Sequence, residues 1–278
     1  KEVPEPEQVA EGVWSLPTRN KKGHMPFTFS YLLLDADRDV HVIDPGWDFE
    51  SNLRALEQAI ARIGGRRPSP ATAICTHFHP DHMGLAETLR REHGTVVLMH
   101  PREARIQHMY AEWGTSEDLI GQDLTRWGVP DDRRDEVLDY ALNTPRVAVD
   151  PDRVVEDREA LPVPGHDLRV LHTPGHTLGH LCVVDEDRRL LFAGDHVLPG
   201  VVPGLGAPGS YPENPLESYL LSLRGMPAYE DYEVLPGHEY RYRGITARVG
   251  QIVGHYRTRT TEGAEVLESV PVISCQRR

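Results

Sequence analysis

Short apolar runs, each bounded by charged or turn residues, predict a series of strands along the first hundred residues. They are Val13–Leu16, Phe29–Leu34, Val40–Ile43, Ala71–Thr76 and Thr95–Met99. Between them, apolar residues recur at helical spacing over Phe49–Ile63 and from about Met83 to His93, and each run ends at glycine. This alternation of strands and helices predicts an α/β fold.

The pattern changes between Pro101 and Leu142, where three successive apolar stripes predict three short helices. We interpret residues 101–142 as a helical insertion. Strands are predicted again after it, at Val154–Val155, Leu168–His172, Leu181–Val184, Leu190–Phe192 and Tyr232–Leu235. Residues 197–215 read as a loop rich in proline and glycine, and 216–224 as a helix.

The chain ends in a predicted helical segment, residues 243–278, with one or two helices over Ile245–Leu267. No internal repeat, low-complexity tract or interdomain linker interrupts the 278 residues. We therefore predict one domain spanning residues 1–278.

Composition narrows the classes of function. Thirty basic and 43 acidic residues give a net charge of −13, which disfavours binding to nucleic acid. The sequence has neither an apolar run of transmembrane length nor a signal-peptide core, so we expect no membrane association. Three widely spaced cysteines, Cys75, Cys182 and Cys275, are typical of reduced thiols and favour a cytoplasmic protein.

Histidine carries the clearest chemical signal, with 15 residues in the chain. The strand Ala71–Thr76 leads directly into His77-Phe78-His79-Pro80-Asp81-His82, which places four potential metal ligands within six residues. Alternate residues of an extended segment point the same way, so His77 and His79 can bind one ion. Asp81 and His82 lie where the chain turns into the next helix and can face a second ion. Imidazole and carboxylate ligands suit divalent metals such as zinc.

Three later segments repeat one layout, an apolar strand followed by a glycine turn and a candidate ligand. They are Thr173-Pro174-Gly175-His176, Gly194-Asp195-His196 and Pro236-Gly237-His238. Such loops at the carboxyl ends of strands are where α/β scaffolds display site residues. For His196, a hydrogen bond that supports the site and a purely structural role are equally compatible with the sequence.

With these motifs in this order, the chain resembles the metallo-β-lactamase superfamily over about residues 10 to 240. The resemblance implies a four-layer αββα sandwich with two metal ions at one edge. It implies that His77, His79 and His176 hold one metal, and that Asp81, His82 and His238 hold the other. Asp195 would bridge both.

Differences between this sequence and individual branches of the superfamily indicate which branches it resembles most. A bridging Asp195 is similar to the glyoxalase II, lactonase and ribonuclease Z branches, whereas true β-lactamases lack that carboxylate. Gly237-His238-Glu239-Tyr240 resembles the corresponding stretch of glyoxalase II, but that family's basic glutathione-binding residues have no clear match near the C-terminus. The tyrosine of lactonases is replaced by Leu198.

The expected chemistry is hydrolysis. Two metals about 3.5–4 Å apart can hold a bridging hydroxide, a nucleophile at neutral pH. Zinc is the expected metal, and iron or manganese is compatible with the ligands. Asp81 is expected to bind metal and to pass a proton to the leaving group. The expected substrate is a small-molecule ester, thioester or lactone with an apolar or aromatic part. The alternatives are a phosphodiesterase or nuclease, and a redox-iron or partner-dependent metal subunit.

The residues that contact the substrate are harder to predict from the sequence than the metal ligands. The helical insertion could be a layer with its own core, a lid over the metals, or the interface of a homo-oligomer. As a lid it would offer Met109, Tyr110 and Trp113 to the substrate. His24 and Tyr211, in loops of the kind that cover clefts, are two further candidates.

Overall fold

The computed structural model describes residues 4–21, 25–143, 146, 148–206 and 214–269. Its strands are β1 Glu7–Ala10, β2 Val13–Arg19, β3 Phe27–Leu34, β4 Val40–Ile43, β5 Thr72–Ile74, β6 Val96–Met99, β7 Arg153–Val154, β8 Ala160–Leu161, β9 Leu168–His172, β10 Leu181–Asp185, β11 Leu190–Gly194 and β12 Glu233–Pro236. Its α-helices are α1 Glu50–Ile63, α2 Pro80–Met83, α3 Ala86–His93, α4 Pro101–Trp113, α5 Glu117–Arg126, α6 Asp131–Asn143, α7 Pro215–Leu223 and α8 Ile245–Ser269. A short 3₁₀ helix lies at Met226–Tyr229.

Two sheets form the centre of the molecule. The first has the order β1-β2-β3-β4-β5-β6-β7, antiparallel from β1 to β4 and parallel from β4 to β7. The second has the order β12-β11-β10-β9-β8, in which only the pair β11 and β12 is parallel. The parallel strands bring several carboxyl ends to the same edge.

The central core lies between the two sheets. Side chains such as Leu33 and Ile74 from the first sheet meet Val183, Phe192 and Leu235 from the second, and all five are almost completely buried. Alternation along each strand sends the intervening side chains to the outer faces, where they can pack against helices.

Helices cover both outer faces. On the first sheet, Leu32 and Val42 pack with Leu56 and Ile60 of α1. On the second sheet, a separate cluster includes Val184, Tyr219 of α7 and Ile252 of α8. This arrangement is the predicted four-layer α/β sandwich.

The structure refines several predicted boundaries. The short strands β1 and β8 have too few apolar residues to be seen in the pattern, and they form by pairing with β2 and β9. The helix predicted from about Met83 to His93 is two helices, α2 and α3, and α2 already begins at Pro80. The C-terminal segment forms one continuous helix, α8, over its described residues.

The predicted helical insertion consists of three helices, α4, α5 and α6. Trp113, Ile120, Leu124 and Ala141 are buried and give it a small core of its own. Across the described ranges, each helix is too short or too polar to serve as a membrane span.

Candidate active site

Four loops meet at one edge of the sandwich, and each follows a strand. The loop after β5 carries His77, His79, Asp81 and His82, and the other loops follow β9, β11 and β12. They carry, in that order, His176, Asp195 and His238. The seven residues predicted as metal ligands therefore come together in space.

The loop after β5 turns sharply because of its proline. His79 has an extended backbone and precedes α2, which begins at Pro80. Proline is favoured at this first helical position, where its fixed φ suits the helix and no N–H is needed. The turn separates His77 and His79 from Asp81 and His82, so that one short motif contributes side chains to two candidate metal positions.

The first candidate metal group is formed by His77, His79 and His176. Nδ1 of His79 lies 3.0 Å from Nε2 of His77 and 3.1 Å from Nε2 of His176. Ligands about 2.0–2.1 Å from a tetrahedral zinc ion would be roughly 3.3 Å apart, so this spacing fits such an ion closely.

The second candidate group is formed by Asp81, His82 and His238. Nε2 of His238 lies 3.4 Å from both Nε2 of His82 and Oδ2 of Asp81. Oδ2 of Asp81 also accepts hydrogen bonds from the hydroxyl of Thr28 at 3.2 Å and from Nδ2 of Asn20 at 3.4 Å. Its carboxylate is thereby held in one orientation.

Asp195 lies between the two groups. Its Oδ2 is 3.7 Å from Nε2 of His176 and 3.4 Å from Nε2 of His238, while its Oδ1 is 3.5 Å from Nε2 of His82. Oδ1 is buried and has no hydrogen-bond partner within the described residues. A buried carboxylate oxygen without a donor is costly, and a cation would satisfy it.

The close approach of these loops requires glycine before His238. A Cβ atom on Gly237 would lie 2.5 Å from Cε1 of His82 and 2.7 Å from Oδ1 of Asp195. Any larger residue would therefore push the β12 loop away from the two ligands.

Hydrogen bonds from the surrounding protein orient the histidine rings. Nδ1–H of His82 donates to Oδ2 of Asp44 at 2.8 Å, and Nδ1–H of His77 donates to the hydroxyl of Thr76 at 2.9 Å. The Thr76 hydroxyl in turn donates to Oδ2 of Asp44. Backbone carbonyls of Gly204 and Phe27 accept from Nδ1–H of the two remaining Nε2 ligands, His176 and His238.

This orientation decides which nitrogen is available to a metal. A neutral imidazole has one donor and one acceptor nitrogen, so an Nδ1–H that donates outward leaves the Nε2 lone pair facing inward. Four rings thus turn their Nε2 atoms into the same small space, where a cation can bind them. Burial would lower the pKa of His82 and His238, but nearby carboxylates raise it, so a metal ion would displace a proton from these two rings. Outward donation to a carboxylate or carbonyl is also the usual arrangement of metal-binding histidine.

The electrostatics of the site suit a divalent cation. Burial lowers the pKa of His79 to about 3 and lowers that of His77 and His176 as well, so these rings are neutral. Burial would raise the pKa of Asp195, but His238 and His82 lower it well below its ordinary value. Neutral imidazoles beside an ionised carboxylate are what a metal ion needs. The residues therefore fit two divalent ions.

Two further histidines lie behind the ligands. Nε2 of His180 accepts the backbone N–H of Asp195 at 3.1 Å, and its Nδ1–H donates to the hydroxyl of Thr173, so His180 holds the β11 loop. The ring of His196 is buried, and neither nitrogen has a hydrogen-bond partner in the part of the chain that the structure describes. Burial lowers the pKa of His196 to about 3, which keeps this ring uncharged.

A cavity of about 340 Å³ opens over the metal groups. Five of the predicted ligands form its floor, namely His79, Asp81, His176, Asp195 and His238. Its other described lining residues are mostly apolar or aromatic: Met25, Trp47, Pro80, Tyr110, Tyr140, Leu198, Val201, Pro203 and Gly204. Lysine and arginine do not occur in this described part of the wall.

Of the residues predicted to contact the substrate, the structure places some in the cavity wall and others away from it. Tyr110 lines the cavity. Met109 packs against the cluster around Phe78, and Trp113 lies in the core of the helical insertion, where it stacks on Tyr110 at 5.9 Å between ring centroids. Neither of the two is among the residues that line the cavity. His24 and Tyr211 lie outside the described residues.

Several residues of the site are not identified by the sequence reasoning. Asp44 directly follows the predicted strand Val40–Ile43, and an acidic residue in that place is a usable signal. Glu103, fully buried on α4, accepts hydrogen bonds from two ligand loops, and burial raises its pKa to about 7. Trp47 and Tyr140 of the cavity wall carry no sequence signal that distinguishes them from core or surface aromatics.

Comparison with known proteins agrees with this architecture. Residues 26–238 match the profile of the metallo-beta-lactamase superfamily. The chain is 24% identical over 216 residues to hydroxyacylglutathione hydrolase GloC of Haemophilus influenzae, covering 74% of this chain and 83% of that protein. It is 28% identical over 215 residues to acyl-coenzyme A thioesterase MBLAC2 of Gallus gallus, covering 75% of this chain and 71% of that protein.

A solved structure shows the same fold. The crystal structure of a metallo-beta-lactamase family protein from Thermus thermophilus superimposes with a TM-score of 0.76 at 28% sequence identity. The match covers 90% of this chain and 81% of that chain. Because the superfamily profile spans most of the sequence and the fold agrees, this chain belongs to the metallo-β-lactamase superfamily.

Proposed function

We propose that this protein is a dinuclear metal hydrolase of small-molecule thioesters and esters whose acyl part is apolar or aromatic. The observation that carries the proposal is the convergence of seven candidate ligands, five of which line the floor of a mostly apolar cavity. That the protein is a metal-dependent hydrolase is supported by its superfamily and by relatives named as a hydroxyacylglutathione hydrolase and an acyl-coenzyme A thioesterase. Both of those names refer to thioester substrates.

Zinc is the metal we propose for both groups. Imidazole and carboxylate ligands at this spacing suit zinc, with iron or manganese as the alternatives to test. When bound, such ions lower the pKa of water to about 7 and polarise a substrate carbonyl, which supplies a nucleophile and an electrophile at neutral pH.

The proton transfer that hydrolysis requires is assigned to Asp81. Asp81 lines the cavity, and although burial would raise the pKa of its carboxyl, His82 and His238 lower it below its ordinary value. An ionised Asp81, fixed by Thr28 and Asn20, can accept a proton from the attacking water and return it to the departing thiolate or alkoxide.

The cavity wall selects the acyl part. Trp47, Tyr110 and Leu198 offer apolar surface next to the reactive floor and exclude water from it. A phosphodiester would need cationic contacts, and the described wall offers no lysine or arginine side chain. The net charge of −13 also disfavours a nuclease.

A hydrolysis panel tests the proposal. The zinc-loaded protein is assayed on glutathione and coenzyme A thioesters, aryl esters, a lactone, a chromogenic β-lactam and a phosphodiester, alongside the Asp195→Ala variant. We expect thioester or ester turnover to dominate and to be lost in Asp195→Ala. Dominant phosphodiester turnover, or equal rates in the two proteins, would refute the proposal. Iron-dependent redox activity without hydrolysis would favour the redox alternative.

A further inference from the structure

One buried carboxylate ties two ligand loops to the helical insertion. Glu103 lies in the first turn of α4 and is completely buried. Its Oε1 accepts the backbone N–H of Phe78 at 2.8 Å, and its Oε2 accepts the backbone N–H of Gly179 at 2.7 Å. Both oxygens are therefore used to hold backbone, and in two different loops.

The two amides belong to the loops of the first metal group. Phe78 lies between the ligands His77 and His79, and Gly179 lies three residues after the ligand His176. A single side chain thereby fixes the separation of the β5 and β9 loops, whose ligand nitrogens on His79 and His176 are 3.1 Å apart.

Packing around the carboxylate leaves little freedom. A Cβ atom on Gly179 would lie 2.3 Å from the backbone nitrogen of Glu103 and 2.8 Å from its Cβ, so only glycine permits this approach. Phe78 and Leu178 of the two loops pack with Ile106 of α4 in one buried cluster. Both loops are consequently seated directly on α4.

The second metal group is held by other parts of the protein. His82 donates to Asp44, and His238 donates to the carbonyl of Phe27. Asp81 accepts from Thr28 and Asn20. None of these contacts involves α4, so the direct contacts of Glu103 are with the loops of the first group alone.

We infer that Glu103 is a positioning residue that sets the geometry of the His77, His79 and His176 group and couples it to the helical insertion. This inference rests on the proposed two-metal function. Tyr110, seven residues further along the same helix, lines the cavity. The helix that forms part of the substrate wall therefore also holds one of the two metal groups.

The chemistry of the side chain gives a sharp test. A carboxylate accepts at both oxygens, whereas glutamine accepts at one and presents an NH₂ group to the second backbone N–H. Glu103→Gln keeps the volume of the side chain, but its NH₂ group then faces the backbone N–H of either Phe78 or Gly179, and two donors cannot form a hydrogen bond. Asp185→Asn is a matched control, because Asp185 is also completely buried, accepts from His166, and lies at the far end of β10 from the site.

The experiment is a titration of the metal-free proteins with Co²⁺, followed by absorption spectroscopy and calorimetry. An Asp81→Ala variant, which disrupts the second group, identifies the binding step of each group. In Glu103→Gln we expect about 10- to 100-fold weaker binding at the three-histidine group, with an altered cobalt spectrum, as for other residues that orient metal ligands. The other step should match that of wild type, and Asp185→Asn should leave both steps unchanged.

Two results would overturn the inference while leaving the proposed function intact. One is unchanged binding at both steps in Glu103→Gln. The other is a parallel loss at both steps, which would show general loosening of the protein. If wild type itself binds no Co²⁺ or Zn²⁺, the proposed function fails and the inference fails with it.

Discussion

The carboxylate of Asp44 accepts a hydrogen bond from Nδ1–H of His82, with 2.8 Å between Oδ2 and Nδ1. Asp44 is almost completely buried and also accepts the backbone N–H of Thr76, just before the ligand His77. Asp44, the residue directly after β4, therefore fixes the tautomer of the candidate ligand His82 and the backbone that leads to the candidate ligand His77. Asp44 thus contacts both candidate metal groups without belonging to either.

Replacing Asp44 by asparagine should weaken metal binding by about 10- to 100-fold, the range for residues that support metal ligands. The amide can keep one of its acceptor contacts, but its NH₂ group then faces another donor. Asparagine is also the best tolerated substitution for the backbone, because Asp44 has φ of 54° and asparagine adopts this left-handed region readily. Zinc affinity measured by competition with a chelating dye checks the prediction, and an unchanged affinity would contradict it.

Asp195→Ala should reduce the metal content from two ions per chain to one or none. The carboxylate lies between the two groups and is the shared anionic ligand that we propose for them. Its removal leaves the imidazoles of His82, His176 and His238 without the charge that faces them. Elemental analysis after zinc loading and desalting gives the stoichiometry. Two ions per chain in the variant would exclude a bridging role.

Removal of the metals should lower the melting temperature. A ligand present at a hundred times its Kd stabilises the folded state by about 2.7 kcal/mol, which corresponds to roughly 5–10 °C for a domain of this size. Stripping the ions also leaves the unpartnered Oδ1 of Asp195 in the cluster. Differential scanning calorimetry with and without chelator measures the effect. The same chelator should change the melting temperature of Asp195→Ala much less.

The layers of the fold were predictable because they follow from local patterning. Leu32 and Leu33 of β3 face opposite sides of the first sheet, one toward α1 and one toward the central core, as the period of a strand requires. β1 was not predictable in the same way. Its residues are exposed or half-buried, and the strand exists because it pairs with β2, which periodicity does not reveal.

The candidate ligands were predictable because each follows a strand in a contiguous motif. The residues that hold these ligands in place were not predictable, since their roles depend on contacts between residues far apart in the sequence. Glu103 lies 76 positions from Gly179 and meets it only because α4 packs on the β9 loop. Met109 and Tyr110 are neighbours on one helix and both pack against the cluster around Phe78, yet of the two Tyr110 lines the cavity. The sequence alone does not show which of the two side chains faces the cavity.

Tyr110 provides the last prediction, which concerns the choice of substrate. Its ring lines the cavity and packs edge-to-face on Phe78, with 5.3 Å between the ring centroids. Tyr110→Ala should enlarge the cavity and shift preference toward longer acyl chains. Each additional buried methylene contributes about 0.8 kcal/mol, or roughly fourfold in kcat/KM. The measurement is kcat/KM along a series of straight-chain acyl thioesters.

Tyr110→Phe is the matched control, because it keeps the ring and should leave the chain-length profile unchanged. Metal content is measured in both variants, since Tyr110 packs on Phe78, the residue between two metal ligands. A shifted profile with intact metal content places the acyl chain against α4. An unshifted profile with intact metal content would contradict the prediction, because it would mean that the acyl chain does not lie against Tyr110.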